Sequence, residues 1–299
     1  MGGLGRSLKI MKNIIQDNLR YMLSLGILIA SLSMPVVSAE WEKVESQGVT
    51  YTTTNSLNKF YKFKSQEEQE GYLVFSNKRV NMKLPLDGKV AYFNGVKVFL
   101  DRSLLLVDNK HLVSTSTVSR VIDPLLRPER IKGRPKGGIL KHVMLKVDDD
   151  TSLSVAKQVQ KMLASRAKVV VVNQGEDKNL KESNKASGYS CVIELACSKK
   201  EKEQSSVLTS YYNRNVGGEE CGLLDLALAV SLHGNVYREA KVDRGVRAGN
   251  KALIIDGGLI PTVKLDIGLD AMNLERSSAS VAKRIVQGLL KGDATLRKL

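Results

Sequence analysis

The feature that most constrains the fold is an alternation of strand-like and helix-like patterns over residues 139–299. The run AKVVVVN at 167–173 is apolar at consecutive positions, which is typical of a strand buried on both faces of a parallel sheet. Before it, Val155, Val159 and Leu163 form an apolar stripe with helical spacing. Strands and helices in alternation pack as layers. We therefore predict an α/β domain with a mostly parallel sheet flanked by helices.

The same region contains further elements of both kinds. Strands are predicted at 139–147, 190–196, 251–257 and 262–269. Helices are predicted at 151–163, after three consecutive aspartates, at 223–232, which is apolar nearly all round, and at 277–291.

Residues 40–130 are predicted to form a small β-rich α+β domain in front of the α/β domain. Short runs of β-forming residues lie at 49–57, 71–77, 89–95 and 96–101. Asn94-Gly95 separates two of these runs and favours a hairpin, since both residues tolerate a positive φ. A proline-marked segment at 122–138 follows, and we place a linker between the domains at 131–138.

The N-terminus has the layout of a signal peptide over residues 1–39. Basic residues precede an apolar stretch that begins at Tyr21, and Val37-Ser38-Ala39 provides the small residues of a cleavage site. The apolar stretch is short for a membrane span. We expect a protein that is exported to the periplasm or secreted, without a stable membrane span after cleavage.

Charge and composition narrow the class of partner. The chain of 299 residues has a net charge of +15, which favours an anionic partner such as nucleic acid, a membrane surface or an acidic cell-wall polymer. Aromatic residues are scarce at 5%, which argues against a surface for stacking bases. Cys191 or Cys197 could pair with Cys221 in an oxidising compartment, or all three thiols could be free.

Several stretches resemble the zinc-dependent N-acetylmuramoyl-L-alanine amidases of the amidase-3 family. They lie at 151–177, 210–212, 242–269 and 275–290, in the order that the family has. The most specific is Asp243-Arg244-Gly245-Val246, which resembles the family's D-R-G-V-K motif. The resemblance implies a cell-wall hydrolase fold in which His, Glu and His hold zinc, and a further Glu acts as general base on the amide between the lactyl group and the first Ala of the stem peptide.

The sequence departs from this family at each site position. The Gly-rich loop that carries the first histidine is missing, because the first strand runs directly into Asp148. Glu194 or Leu195 stands at the position of the second histidine, and Asp266 replaces the catalytic Glu with a side chain one methylene shorter. We therefore expect a degenerate site without a cofactor, in a cleft that contains Asp266, Glu194 and a cation from Arg244 or Lys264.

The hypothesis from these residues is an exported cell-envelope protein that binds peptidoglycan, another anionic envelope polymer or an envelope protein, with no nucleic acid partner. The alternative is an active amidase with zinc held by His142, Glu194 and His233, and Asp266 as the base. His233 lies in Ser231-Leu232-His233-Gly234-Asn235, whose letters resemble the family's S-I-H-A-N motif. The resemblance is limited to the letters, because His233 stands only ten residues before Asp243 and this spacing does not match that of the family's two motifs.

Overall fold

The computed structural model describes residues 41–135, 137–173, 189–200, 207–213, 219–237, 242–249 and 260–297. The predicted signal peptide at 1–39 and the predicted strand at 251–257 lie outside these residues. The described residues from Trp41 onward belong to one compact unit. The linker at 131–138 stays a prediction.

The described strands form two sheets. The smaller has the order β1-β2-β9-β8, and the larger has the order β11-β10-β12-β15-β13-β14-β7-β6-β5-β4-β3. Their bounds are β1 Lys43–Ser46, β2 Val49–Thr53, β3 Ser65–Gln69, β4 Tyr72–Ser76, β5 Asn81–Pro85, β6 Val90–Phe93, β7 Val96–Phe99, β8 Leu105–Val107, β9 Lys110–Ser114, β10 His142–Val147, β11 Lys168–Asn173, β12 Cys191–Lys200, β13 Val207–Tyr212, β14 Val242–Ala248 and β15 Thr262–Asp270.

The larger sheet as a whole is mixed, so the prediction of a mostly parallel sheet is not confirmed for it. Strands β11, β10, β12 and β15 are parallel, but β13 runs antiparallel to β15. Strands β3 to β7 join the same sheet as antiparallel hairpins, because short turns such as Asn94-Gly95 can connect only antiparallel neighbours. Both turn residues have the predicted positive φ.

The helices are α1 Thr54–Tyr61, α2 Thr115–Thr117, α3 Asp123–Leu126, α4 Asp150–Leu163, α5 Glu219–Val236 and α6 Leu274–Arg297. A π-helical turn at Val118–Ile122 joins α2 to α3, and a short 3₁₀ helix follows at Pro128–Arg130. The apolar stripes of α4 and α6 share one buried cluster with Val143, Ile193 and Leu265. These strand residues belong to one face of the sheet, so α4, α5 and α6 cover that face.

Three elements differ from their sequence predictions. Residues 49–57 are strand only as far as Thr53, whose hydroxyl accepts a hydrogen bond from the Ser56 amide and so begins α1. The D-R-G-V segment, for which the sequence analysis predicts no strand, belongs to the strand β14. Strand β11 lies at the edge of the sheet and is largely half-buried, because no described strand pairs with its outer side.

Candidate functional site

A row of charged side chains crosses the sheet on the face opposite the helices. Lys146 of β10 is in register with Glu194 of β12, and Glu194 is in register with Lys264 of β15. Their chain neighbours, among them Leu145 and Leu265, are fully buried toward the helices. Since side chains alternate between the faces of a strand, the charged row lies on the other face. Lys264 Nζ donates a hydrogen bond to Glu194 Oε1 in an ion pair.

Two aspartates lie one step further toward the carboxyl ends of the parallel strands. Asp266 is exposed and is in register with Ala196 of β12 and with Thr209 of β13. Asp148 directly follows β10, whose last residue Val147 pairs with Leu195, so Asp148 lies at the same level of the sheet. Ligand sites of open α/β sheets form at this end of the strands.

The electrostatics of the row follow from burial and from these neighbours. Burial lowers the pKa of Lys146, whose side chain is almost fully covered, although the charge of Glu194 opposes the shift. Burial also acts against Lys264, but the hydrogen bond to Glu194 and the charges of Asp148 and Asp266 outweigh it and raise the pKa of Lys264. Lys264 is therefore firmly cationic among three carboxylates.

Asp149 connects the end of β10 to the start of α4. Its carboxylate accepts hydrogen bonds from the backbone amide of Ser152, at 2.8 Å, and from the Ser152 hydroxyl, at 2.6 Å. Burial would raise the pKa of Asp149, but these bonds outweigh burial and lower it, whereas burial and the hydrogen bond with Asp149 raise the pKa of Asp148. Asp149 thus serves the helix N-terminus, and Asp148 faces the charged row.

The structure brings together some of the predicted site residues. Glu194 and Asp266 lie on one face of the sheet, on neighbouring strands and two register positions apart. Lys264 supplies the cation beside Glu194. Arg244 is exposed on β14, and β13 lies between β14 and the strand of Asp266.

The two histidines of the alternative ligand set lie elsewhere. His142 is the first residue of β10, and its carbonyl accepts a hydrogen bond from the amide of Ser190, six positions before Ala196. This places His142 about 20 Å along the strands from Asp266, at roughly 3.3 Å per residue. His233 is fully buried in α5, on the helix-covered face. Within the described ranges, no group of three or more His, Cys, Asp or Glu residues could hold a metal ion.

His233 belongs to a network that the sequence did not reveal. Its Nδ1 lies 2.8 Å from Ser210 Oγ, and its Nε2 lies 2.8 Å from Asp243 Oδ1, which also accepts a hydrogen bond from the Gly245 amide. Burial would raise the pKa of Asp243, but the hydrogen bond from His233 outweighs it and lowers the pKa. Ser210 and His233 are completely buried, so this serine cannot reach a substrate. The network instead fastens α5 to β13 and β14.

The two cysteines with described side chains are free and buried. Cys191 and Cys197 lie on the helix-covered face of β12. Burial raises the pKa of both thiols, to about 12 for Cys197, so neither is a reactive thiolate. The side chain of Cys221 lies outside the described part of the chain, and its pairing stays a prediction.

Comparisons with known proteins give matches only among solved structures. No family model matches the sequence, and no curated protein matches it. The catalytic domain of CwlV, an N-acetylmuramoyl-L-alanine amidase from Bacillus (Paenibacillus) polymyxa var. colistinus, is 20% identical with a TM-score of 0.40, over 51% of this chain and 97% of that chain.

Two further similar structures come from Clostridioides difficile. The CwlD amidase in complex with the GerS lipoprotein is 13% identical with a TM-score of 0.40, over 51% of this chain and 98% of that chain. An N-acetylmuramoyl-L-alanine amidase from strain 630 is 16% identical with a TM-score of 0.40, over 51% and 96% of the two chains. No helix in the described ranges is long and apolar enough to cross a membrane.

Proposed function

We propose that this chain is an exported cell-envelope protein of amidase-like ancestry that binds peptidoglycan without hydrolysing it. The observation that carries the proposal is the ion pair between Lys264 and Glu194. In the sequence resemblance, Glu194 stands at or beside a zinc-binding histidine, and Asp266 stands at the catalytic Glu. A lysine ammonium therefore lies among the carboxylates where the resemblance implies a metal ion.

The residues of this cleft do not fit zinc. The groups gathered there are the carboxylates of Asp148, Glu194 and Asp266 and the ammonium groups of Lys146 and Lys264. Zinc sites in proteins are built mainly from imidazole and thiolate, and a fixed ammonium repels a second cation. The described residues of the cleft therefore offer no set of ligands for a hydrolytic zinc ion.

The same charges suit a peptide ligand with ends of both signs. Glu194 and Lys264 are only partly exposed, and Asp266 is open to solvent, so a ligand would meet cationic and anionic groups in a fixed order along the sheet. The stem peptide of peptidoglycan carries free carboxylates and an amine, which can form charge-assisted hydrogen bonds with this row. Regulation of an active amidase by competition for the same wall is a consequence of this proposal.

The test is sedimentation of the purified protein with insoluble peptidoglycan, combined with zinc analysis. We expect binding by the unaltered protein, no release of stem peptide, and binding weakened about tenfold by Lys264→Gln, since a charged contact contributes about 1.4 kcal/mol or more. Lys110→Gln is the matched control, because Lys110 forms an exposed ion pair with Glu42 in the first region.

Two results would overturn the proposal. One is a tightly bound zinc ion together with chelator-sensitive release of stem peptide, which would favour the active amidase. The other is binding that Lys264→Gln and Lys110→Gln change equally, or no binding of the unaltered protein at all.

A further inference from the structure

A strongly basic cleft lies at the amino ends of β10 and β11, at the opposite end of these strands from the Lys264–Glu194 pair. The cleft has a volume of about 620 Å³, and its charged lining residues are Lys141, Arg166, Lys168 and Arg297. All four cationic side chains are exposed. Among the described lining residues, none is acidic and none is aromatic.

The fold places these four cations together through three elements. Lys168 begins β11 beside His142, and its amide donates a hydrogen bond to the Lys141 carbonyl at 3.3 Å. Arg166 lies in the turn after α4, where its amide donates to the Leu163 carbonyl at 2.8 Å. Arg297 is at the end of α6, packed against the backbone at Gly138.

One carboxylate near the cleft neutralises part of this charge. Asp293 Oδ2 accepts a hydrogen bond from Arg297 Nε at 2.7 Å, and Asp293 Oδ1 accepts one from the Leu140 amide at 3.2 Å. Asp293 is only 6% exposed and does not line the cleft, so it orients the Arg297 side chain from the buried side. A further cation adjoins this end, because Arg134 Nη1 donates to the Leu296 carbonyl.

We propose that this cleft binds a polymer with repeating phosphate groups, as a second site separate from the peptidoglycan row. Guanidinium groups present paired donors that match phosphate oxygens, and the lysines add point charges beside them. Several exposed cations along one open cleft favour a polyanion, which gains from release of its counterions at each contact. Without aromatic groups in the described lining, the cleft has no surface for stacking bases, so the favoured source is a phosphate polymer of the cell envelope rather than a nucleic acid.

The experiment measures binding of a poly(glycerol phosphate) chain to the full protein by fluorescence anisotropy at several salt concentrations. The test variant is Lys141→Glu with Lys168→Glu. The control is Lys78→Glu with Arg79→Glu, which changes the net charge equally at two exposed positions after β4. We expect the test variant to lose at least tenfold in affinity and about two units of salt slope, and the control to lose less than twofold.

Measurements with the two double variants and with other ligands test which feature of the polymer the cleft recognises. Equal losses of affinity in both double variants would overturn the proposed site, because the net charge of the protein would then explain the binding. Equally tight binding of poly-glutamate of matched charge would overturn the phosphate preference, and tighter binding of duplex DNA would overturn the envelope polymer. Peptidoglycan stripped of phosphate polymers should bind the Lys141/Lys168 variant as it binds the unaltered protein, so failure of this proposal is distinguishable from failure of the peptidoglycan proposal.

Discussion

Single residues on this sheet show what strand periodicity can predict. The sequence predicts Glu194 and Asp266 in one cleft, because each stands at a position that is a site residue in the resembling amidase family. Lys264 is predicted on the same face as Asp266, because residues two apart in a strand point to the same side of the sheet. Which cation contacts Glu194 depends on the register between strands that are distant in sequence. A slip by one residue would move Lys264 to the other face, and no local pattern records that choice.

Asp225 is a buried acidic residue in the apolar helix α5, and the sequence analysis did not single it out. Its Oδ1 accepts a hydrogen bond from the Thr262 amide at 2.7 Å. The carboxyl group also accepts a backbone hydrogen bond from Asn213. Burial raises its pKa to about 8, although these two bonds act in the opposite direction. The folded protein therefore holds a proton on Asp225 at neutral pH. The hydrogen bond from the Thr262 amide to Asp225 Oδ1 links α5 to the start of β15.

The titration of Asp225 predicts a pH dependence of stability. The pKa of Asp225 in the folded protein is above the unfolded value of 3.8. The protonated carboxyl group therefore makes its full contribution to the free energy of unfolding below about pH 4, and this contribution is lost as the pH rises to about 8. One such group gives a slope of up to ~1.4 kcal/mol per pH unit. We expect Asp225→Asn, whose amide oxygen can accept the same bonds, to flatten this slope in urea unfolding at pH 5 to 9. An unchanged slope would contradict the assignment.

At the scale of elements, the helical stripes were the most predictable feature. The stripe of Val281, Ile285 and Leu289 predicted the last helix, and all three are buried in α6. The stripe does not say which helix covers it, because partner choice depends on shape. In the structure α6 packs against α5, and a Cβ on Gly288 would lie 2.9 Å from Leu232 Cα and 3.2 Å from the Ser231 carbonyl oxygen.

Close packing at Gly288 gives an element-scale prediction. Alanine is favoured over glycine by about 1 kcal/mol within a helix, but backbone atoms of α5 cannot move aside easily. We therefore expect Gly288→Ala to lower the free energy of unfolding by about 1–3 kcal/mol. Gly292→Ala is the control, since its Cβ would meet mainly rotatable side chains at 3.3 Å and beyond. Equal effects in both variants would show that the α5–α6 approach is not limiting.

At the scale of the whole molecule, the sequence predicts a boundary between two regions, but strands of both regions belong to one continuous sheet. A β-rich region and an α/β region were predicted from their different periodicities, and both periodicities are present. Their junction is a pairing of β7 with β14, in which Val98 is the partner of Val246. Lys97 Nζ donates to the Asp243 carbonyl at 2.9 Å, and the Arg247 guanidinium lies 4.0 Å from the centre of the Phe99 ring. Such contacts between distant segments leave no periodic signal in either one.

The junction predicts that both regions unfold together. Trp41 is the chain's one tryptophan, and its ring lies 4.6 Å from that of Phe60 in the first region, so its fluorescence reports on that region. Circular dichroism at 222 nm is dominated by α4, α5 and α6 in the second region. Because the β7–β14 pairing, the hydrogen bond of Lys97 and the cation–π contact of Arg247 join the regions, we expect the two signals to give the same urea midpoint, as in a two-state transition. Separate midpoints would show instead that the segment at 131–138 links two domains that fold independently.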